Sequence, residues 1–259
     1  MNWQEISGNW VLIPRRPIGV VHFLGGAFVA TAPNITYRWL LEQLGKADYA
    51  VIATPFVNTL DHVAIARSVL NRFENILERL QATNALCQSY LPIYGVGHSM
   101  GCKLHLLIGS LFSVERAGNI LISFNNYPVR RAIPFIEQLE LDSTLNLEFT
   151  PSPEETNLLI TESYQVRRNL LIRFNNDEID QTIILNPVLQ ERFPNMVALL
   201  TLPGNHLTPL GQEINWQPGE IFTPFDAIGQ WVKQGFSRDL YPLKQEILRW
   251  LNPLSVISS

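Results

Sequence analysis

Short apolar runs alternate with helical patterns along most of this chain, and that alternation restricts it to an α/β architecture. Ile18 to Leu24, Tyr49 to Pro55, Leu91 to Val96, Ile120 to Phe124, Asn169 to Phe174 and Met196 to Leu202 are apolar runs of strand length. Helical patterns lie between them. Ile35 to Leu44 has helical spacing, with Asn34 as cap and Gly45 as stop. Asp61 to Leu80 places Val63, Ala66, Leu70, Phe73, Ile76 or Leu77, and Leu80 on one face. Cys102 to Phe112, Pro153 to Tyr164, Pro187 to Arg192 and Leu240 to Leu251 complete the set. Strands separated by helices pair in parallel, and the helices cover both faces of the sheet. The exception is Gly8 to Pro14, which reads as a hairpin with Ile18 to Leu24 across Arg15-Arg16-Pro17.

The 259 residues suit one domain carrying an insertion, which the sequence places at residues 127–166 as a cap or lid. Pro128 to Leu139 reads there as a helix bent at Pro134, and Leu145 to Thr150 as extended chain. Hydrophobic residues make up 46% of the chain, enough for a core without disulfides or metals. A formal charge of −4 and the lack of a polybasic run argue against nucleic acid or an anionic membrane as partner. No apolar stretch reaches the length of a membrane span, and the first residues lack a signal peptide's pattern. Cys87 and Cys102 make neither a disulfide framework nor a metal pattern. The expectation is a soluble, cytoplasmic protein with no metal and no cofactor.

Gly97-His98-Ser99-Met100-Gly101 carries the chemistry. It follows the strand Ile93 to Val96 and precedes an apolar helix, the context that a Gly-x-Ser-x-Gly turn requires. Such a turn holds the serine in an unfavourable backbone conformation and aims the next helix's amides at a developing oxyanion. Met100 would supply one oxyanion amide. Leu24-Gly25-Gly26-Ala27 would supply the other, from Gly26 or, second, Ala27. His98 is expected to pack or hydrogen-bond beneath the turn, His22 to be a strand residue, and His105 to be a core or surface residue.

A serine hydroxyl needs a base. Of the five histidines, His206 alone lies downstream of Ser99 in a new loop after a strand, within Leu202-Pro203-Gly204-Asn205-His206. The orienting acid comes from Asn175-Asn176-Asp177-Glu178-Ile179-Asp180, after the strand Asn169 to Phe174. Asp177 lies nearest the strand end, Asp180 is second and Glu178 third. The order Ser, Asp, His is that of the α/β-hydrolases.

The chain resembles that superfamily from about Trp10 to its last helix. More narrowly, it is similar to the cyanobacterial and plastid family called domain of unknown function 1350, in VVHFLGGAFVATAP, ATPFVNTLDH, GVGHSMGCKLH, SFNN, FNNDEIDQT and LPGNHLTPLG. The resemblance implies an α/β-hydrolase fold, a mostly parallel central sheet with helices on both faces, and an intracellular setting that in a plant is the plastid stroma. It implies no substrate. One departure is that no His-Gly pair precedes the oxyanion loop.

These features describe a serine hydrolase acting on an ester or thioester. The apolar residues Tyr127, Val129, Ile133, Phe135 and Ile136 suggest an apolar acyl or isoprenoid group, with Ala27, Phe28, Tyr127 and Phe135 lining the pocket, but are equally what a helix needs to pack on the core. Arg130-Arg131 could meet an anionic group on the substrate but reads more simply as a solvated surface pair. The competing class is a catalytically silent binding or assembly factor, for which Trp216, Phe222, Phe225 and Trp231 could form an interface or simply cover the core. Acyl transfer by the same machinery is a third.

Overall fold

The computed structural model describes residues 1–27, 29–88, 90–128, 148–210 and 240–252. Among these residues, eight strands form one sheet in the order β1-β2-β4-β3-β5-β6-β7-β8. They are β1 (Gln4–Ile6), β2 (Asn9–Leu12), β3 (Gly19–Leu24), β4 (Tyr49–Ala53), β5 (Ile93–His98), β6 (Gly118–Ile122), β7 (Asn169–Phe174) and β8 (Val197–Leu202). Strands β3 to β8 are parallel to one another, while β1 pairs antiparallel with β2 and β2 with β4. The hairpin expected between β2 and β3 is therefore not formed. The tight turn is one element earlier, at Ser7-Gly8, both with positive φ, and β4 separates β2 from β3.

The helices are α1 (Pro33–Thr36), α2 (Arg38–Lys46), α3 (His62–Ala82), α4 (Met100–Leu111), α5 (Pro153–Ser163), α6 (Thr182–Arg192) and α7 (Leu240–Leu251). The single helix expected over Ile35 to Leu44 is broken at Tyr37, so Asn34 lies inside α1 and caps nothing. Gly45 does not stop α2. It is buried within the helix because a Cβ there would lie 2.6 Å from Leu12 Cδ2. Asp61 precedes α3 as its cap, accepting from the Ala64 amide at 2.8 Å, a contact worth about 1 kcal/mol. Helix α6 begins five residues before Pro187, which is tolerated in its second turn.

Alternation along the strands sorts the side chains into two cores. Val21 and Phe23 of β3, Ile120 and Ile122 of β6, and Leu170, Ile172 and Phe174 of β7 pack with Leu40, Leu41 and Leu44 of α2 and Leu243 and Ile247 of α7. On the other face, Val20, Ala50 and Ile52 meet Phe73 and Ile76 of α3, while Leu121 and Leu171 meet α4, α5 and α6. Helix α5, the second half of the stretch read as a cap, is the crossover between β6 and β7. It packs Ile160 beside Cys102 and Leu106 of α4. Residues 129–147, with Val129, Arg130, Arg131, Ile133, Phe135 and Ile136, lie outside the described residues, as do Phe28 and the tail that holds Trp216, Phe222, Phe225 and Trp231. Among the described residues, no helix is long and apolar enough to cross a membrane.

Lys103 is buried on α4. Its ammonium donates to Pro151 O at 3.2 Å and lies 5.7 Å from the Phe149 ring, on which His62 stacks. Burial pulls its pKa from the ordinary 10.5 to about 7. Between those two values the unfolded chain binds one proton more than the folded one, so this group makes stability rise with pH across that window. Below it both states are charged and the full cost persists. Lys103→Met is expected to raise stability near pH 7 by about 2 kcal/mol, less than the whole desolvation cost because two favourable contacts go with the amine. It should also flatten the rise between pH 7 and 10.5. Denaturant titrations at several pH values measure both.

Candidate active site

Parallel register brings the carboxyl ends of β3, β5, β6, β7 and β8 to one edge. Leu24 lies beside Gly97, His98 beside Ile122, Ile122 beside Ile172, and Phe174 beside Leu202. Ser99 follows β5 directly, Asp177 follows β7 by three residues and His206 follows β8 by four. Loops after the carboxyl ends of parallel strands are where ligands meet such a sheet.

Ser99 has φ 53° and ψ −118°, a backbone conformation that L-residues rarely adopt. Both sides hold it there. Its amide donates to Ile122 O at 2.9 Å, and its carbonyl accepts from Cys102 N at 3.0 Å, within the first turn of α4. A Cβ at Gly97 would stand 2.6 Å from Cys102 N, so the turn closes only around glycine. Ser99 is half-buried, and Met100 opens α4, where helical amides have no intrahelical acceptor.

His206 Nδ1 donates to Asp177 Oδ2 at 2.9 Å, with the histidine side chain 12% exposed and the carboxylate wholly buried. Because a carboxylate only accepts, Nδ1 carries a proton, and in the neutral ring it is Nε2 that holds the lone pair. Burial raises the pKa of Asp177, but the hydrogen bond and charge of His206, the nearby Ser123 hydroxyl and the Ile179 amide outweigh it. The carboxyl ends below its usual range and stays ionised. Asp180 is engaged elsewhere. Its Oδ1 accepts from the amide and the hydroxyl of Thr182 at the start of α6, and Oδ2 lies 3.5 Å from Arg173 Nε. Glu178 is exposed. Asp177 is thus the carboxylate of that loop that meets His206.

The Gly25-Gly26 loop, expected to supply an oxyanion amide, lies against Ser99: a Cβ built on Gly26 would stand 3.5 Å from Ser99 Cβ. The Gly26 amide, however, donates to Tyr37 Oη at 2.8 Å and is occupied. The Ala27 amide has no hydrogen bond among the described residues. Tyr127 lies in the half-buried chain leaving β6. Phe28 and Phe135, the other pocket expectations, are outside the described residues.

His98 lies beneath the turn, as its place before the serine suggests, and is bonded at both ring nitrogens. His22 and His105 are buried in the core, His22 on Thr54 Oγ1 at 3.2 Å and His105 on Val96 O at 3.3 Å. The reading from sequence missed Tyr37 and Ser123. Tyr37 was hidden as one more apolar residue in a helical pattern. Ser123, in SFNN at the end of β6, has positive φ (52°), a feature without a residue-type signal.

The architecture is similar to that of several solved structures. A thermostable carboxyl esterase from Bacillus coagulans aligns with TM-score 0.58 at 12% identity, over 98% of this chain and 99% of its own. The fluorophosphonate-binding serine hydrolase FphF of Staphylococcus aureus aligns with TM-score 0.53 at 12% identity, over 90% of this chain and 96% of its own. The S-formylglutathione hydrolase FrmB of the same bacterium aligns with TM-score 0.53 at 15% identity, over 76% and 82%. Likeness at such identities establishes the α/β-hydrolase fold alone. No curated protein matches the sequence. A family model described as protein of unknown function (DUF1350) matches residues 2–253, and the chain belongs to that family.

Proposed function

We propose that the protein is a serine hydrolase that cleaves an ester or thioester of a small or apolar acyl group. The observation that carries the reading is the pair His206–Asp177, bonded at 2.9 Å on the same sheet edge where Ser99 is held at positive φ. Ser99 Oγ attacks the substrate carbonyl carbon while His206 Nε2 takes the hydroxyl proton. Asp177 holds the ring and stabilises the imidazolium. The tetrahedral oxyanion is met by the amides of Met100 and, because Tyr37 occupies that of Gly26, of Ala27. The carbon–oxygen or carbon–sulfur bond then breaks, and the leaving group takes the proton from His206. A water, deprotonated by the same imidazole, attacks the acyl-serine; the bond to Ser99 Oγ breaks, the proton passes from His206 to that oxygen, and the acid is released.

A fluorophosphonate probe tests this directly. The expected result is a covalent adduct on Ser99, found by peptide mass spectrometry and absent in Ser99→Ala. A folded wild-type protein that takes up no label would make the chain a binding or assembly factor on a hydrolase scaffold. Paired oxyester and thioester substrates with acyl chains of increasing length then set the acyl class.

A further inference from the structure

Three hydrogen bonds run in line beneath Ser99. Gly26 N and Tyr37 Oη are 2.8 Å apart, Tyr37 Oη and His98 Nδ1 2.7 Å, and His98 Nε2 and His206 O 2.8 Å. Their direction is fixed by the groups themselves. The carbonyl of His206 only accepts, so His98 Nε2 carries the proton. Burial pushes the pKa of His98 down to about 3, so the ring is neutral and Nδ1 is an acceptor. Tyr37 must donate its hydroxyl proton to Nδ1, and burial keeps that hydroxyl protonated by pushing its pKa up. Its oxygen is then free to accept from the Gly26 amide. Each member has one role, and every polar atom in the line is satisfied.

The geometry points to Tyr37 and His98 as positioning residues that lock the oxyanion loop to the loop of the base, through the residue preceding the nucleophile. This rests on the serine-hydrolase reading and deepens it. His206 has two anchors. Asp177 holds the ring from one side, and His98 holds its backbone carbonyl from the other, with the two imidazoles 5.0 Å apart. At the other end, anchoring the Gly26 amide fixes the loop that carries the second oxyanion donor. Tyr37 is buried at the break between α1 and α2, and its ring also packs edge-on against Phe23 of β3 at 4.7 Å. The hydroxyl is thereby held by the core and not by a mobile loop. Neither residue touches the reacting atoms. Their effect is on the relative placement of base and oxyanion amide, where a displacement of about 1 Å can cost 10²-fold in rate.

The test uses Tyr37→Phe, which removes one oxygen from the line and keeps the ring. Ester hydrolysis, acylation by fluorophosphonate and amide exchange at Gly26 are measured together. The expected result is a fall in kcat and in the labelling rate of about 10- to 100-fold with KM little changed, and much faster exchange of the Gly26 amide. His98→Leu should fall by a similar factor. His98→Gln, which has both an acceptor and a donor, should recover most of the rate; a role in packing volume alone would not separate Gln from Leu. The double variant Tyr37→Phe/His98→Leu should be no worse than the poorer single one, since one line is broken only once. Wild-type turnover in a folded Tyr37→Phe protein, or additive losses in the double variant, would overturn the positioning role. An unlabelled wild type would instead overturn the hydrolase reading on which it rests, and slow Gly26 exchange in that protein would leave the hydrogen-bond line as architecture only.

Discussion

Turnover of an activated ester is expected to fall about 10⁴- to 10⁶-fold in Ser99→Ala and in His206→Ala, and the double variant should be scarcely worse than either. The reason is that in the proposed mechanism nucleophile and base perform one event. With the hydroxyl gone there is no proton for the imidazole to take, and with the imidazole gone the hydroxyl is a weak nucleophile. Asp177→Asn should cost about 10⁴-fold, because the amide favours the wrong tautomer of His206 and no longer stabilises the imidazolium. Asp180→Asn provides the contrast. Its side chain serves Thr182 and Arg173, so the expected change in turnover is within a few-fold, accompanied by a loss of about 1 kcal/mol of stability as the start of α6 loosens. Steady-state kinetics on the four single variants and the double one decide the matter. Equal damage from Asp177→Asn and Asp180→Asn would remove the distinction between the two carboxylates.

Much of this site was legible because its parts are tied to chain order. A strand, a Gly-x-Ser-x-Gly turn and an apolar helix are local, and periodicity finds them. The two later loops follow strands β7 and β8, whose bounds could be read within a residue, so chain order led to His206 and to the loop that holds Asp177, Glu178 and Asp180. Proximity to the strand end separates Asp177 from Asp180 only weakly; the separation comes from Thr182, whose amide and hydroxyl claim the second carboxylate. The pairing of β2 was not legible. A short apolar run need not pair with the next strand in sequence, and the choice of β4 over β3 follows from the crossover that brings β4 between them. Tyr37 was hidden for a related reason. Its spacing fits a helix, and nothing in sequence marks the break there or says that its hydroxyl reaches a histidine 61 positions away. Gly26 is the instructive case: a glycine pair after a strand marked a loop that does lie against Ser99, while the atom that occupies its amide comes from another element.

Gly101→Ala is expected to destabilise the protein by about 4 kcal/mol or more, enough to leave little soluble material. The added carbon would lie 2.0 Å from Leu24 O, 2.6 Å from Leu24 C and 2.8 Å from Gly25 O. All three are backbone atoms, so no rotamer change relieves the contact. Either α4 must shift away from the sheet, losing the packing of Leu104 and Leu107, or the end of β3 must leave its place beside β5. Gly8→Ala separates this from the ordinary cost of replacing a glycine. Gly8 has φ 72°, but its nearest neighbour would be Arg72 Nη1 at 3.8 Å, so only backbone strain is added, about 1–2 kcal/mol. Thermal and urea unfolding should rank the two variants in that order. The close contact also ties the Ser99 turn to the loop that begins at Gly25, the proposed oxyanion loop. The same carbonyls that exclude a Cβ at position 101 belong to the residues leading into Gly26, so any Gly101→Ala protein that does fold should have lost fluorophosphonate labelling as well. A folded, fully labelled Gly101→Ala variant would mean that β3 and α4 do not meet as closely as these distances require, and that the oxyanion loop is positioned by something other than this contact.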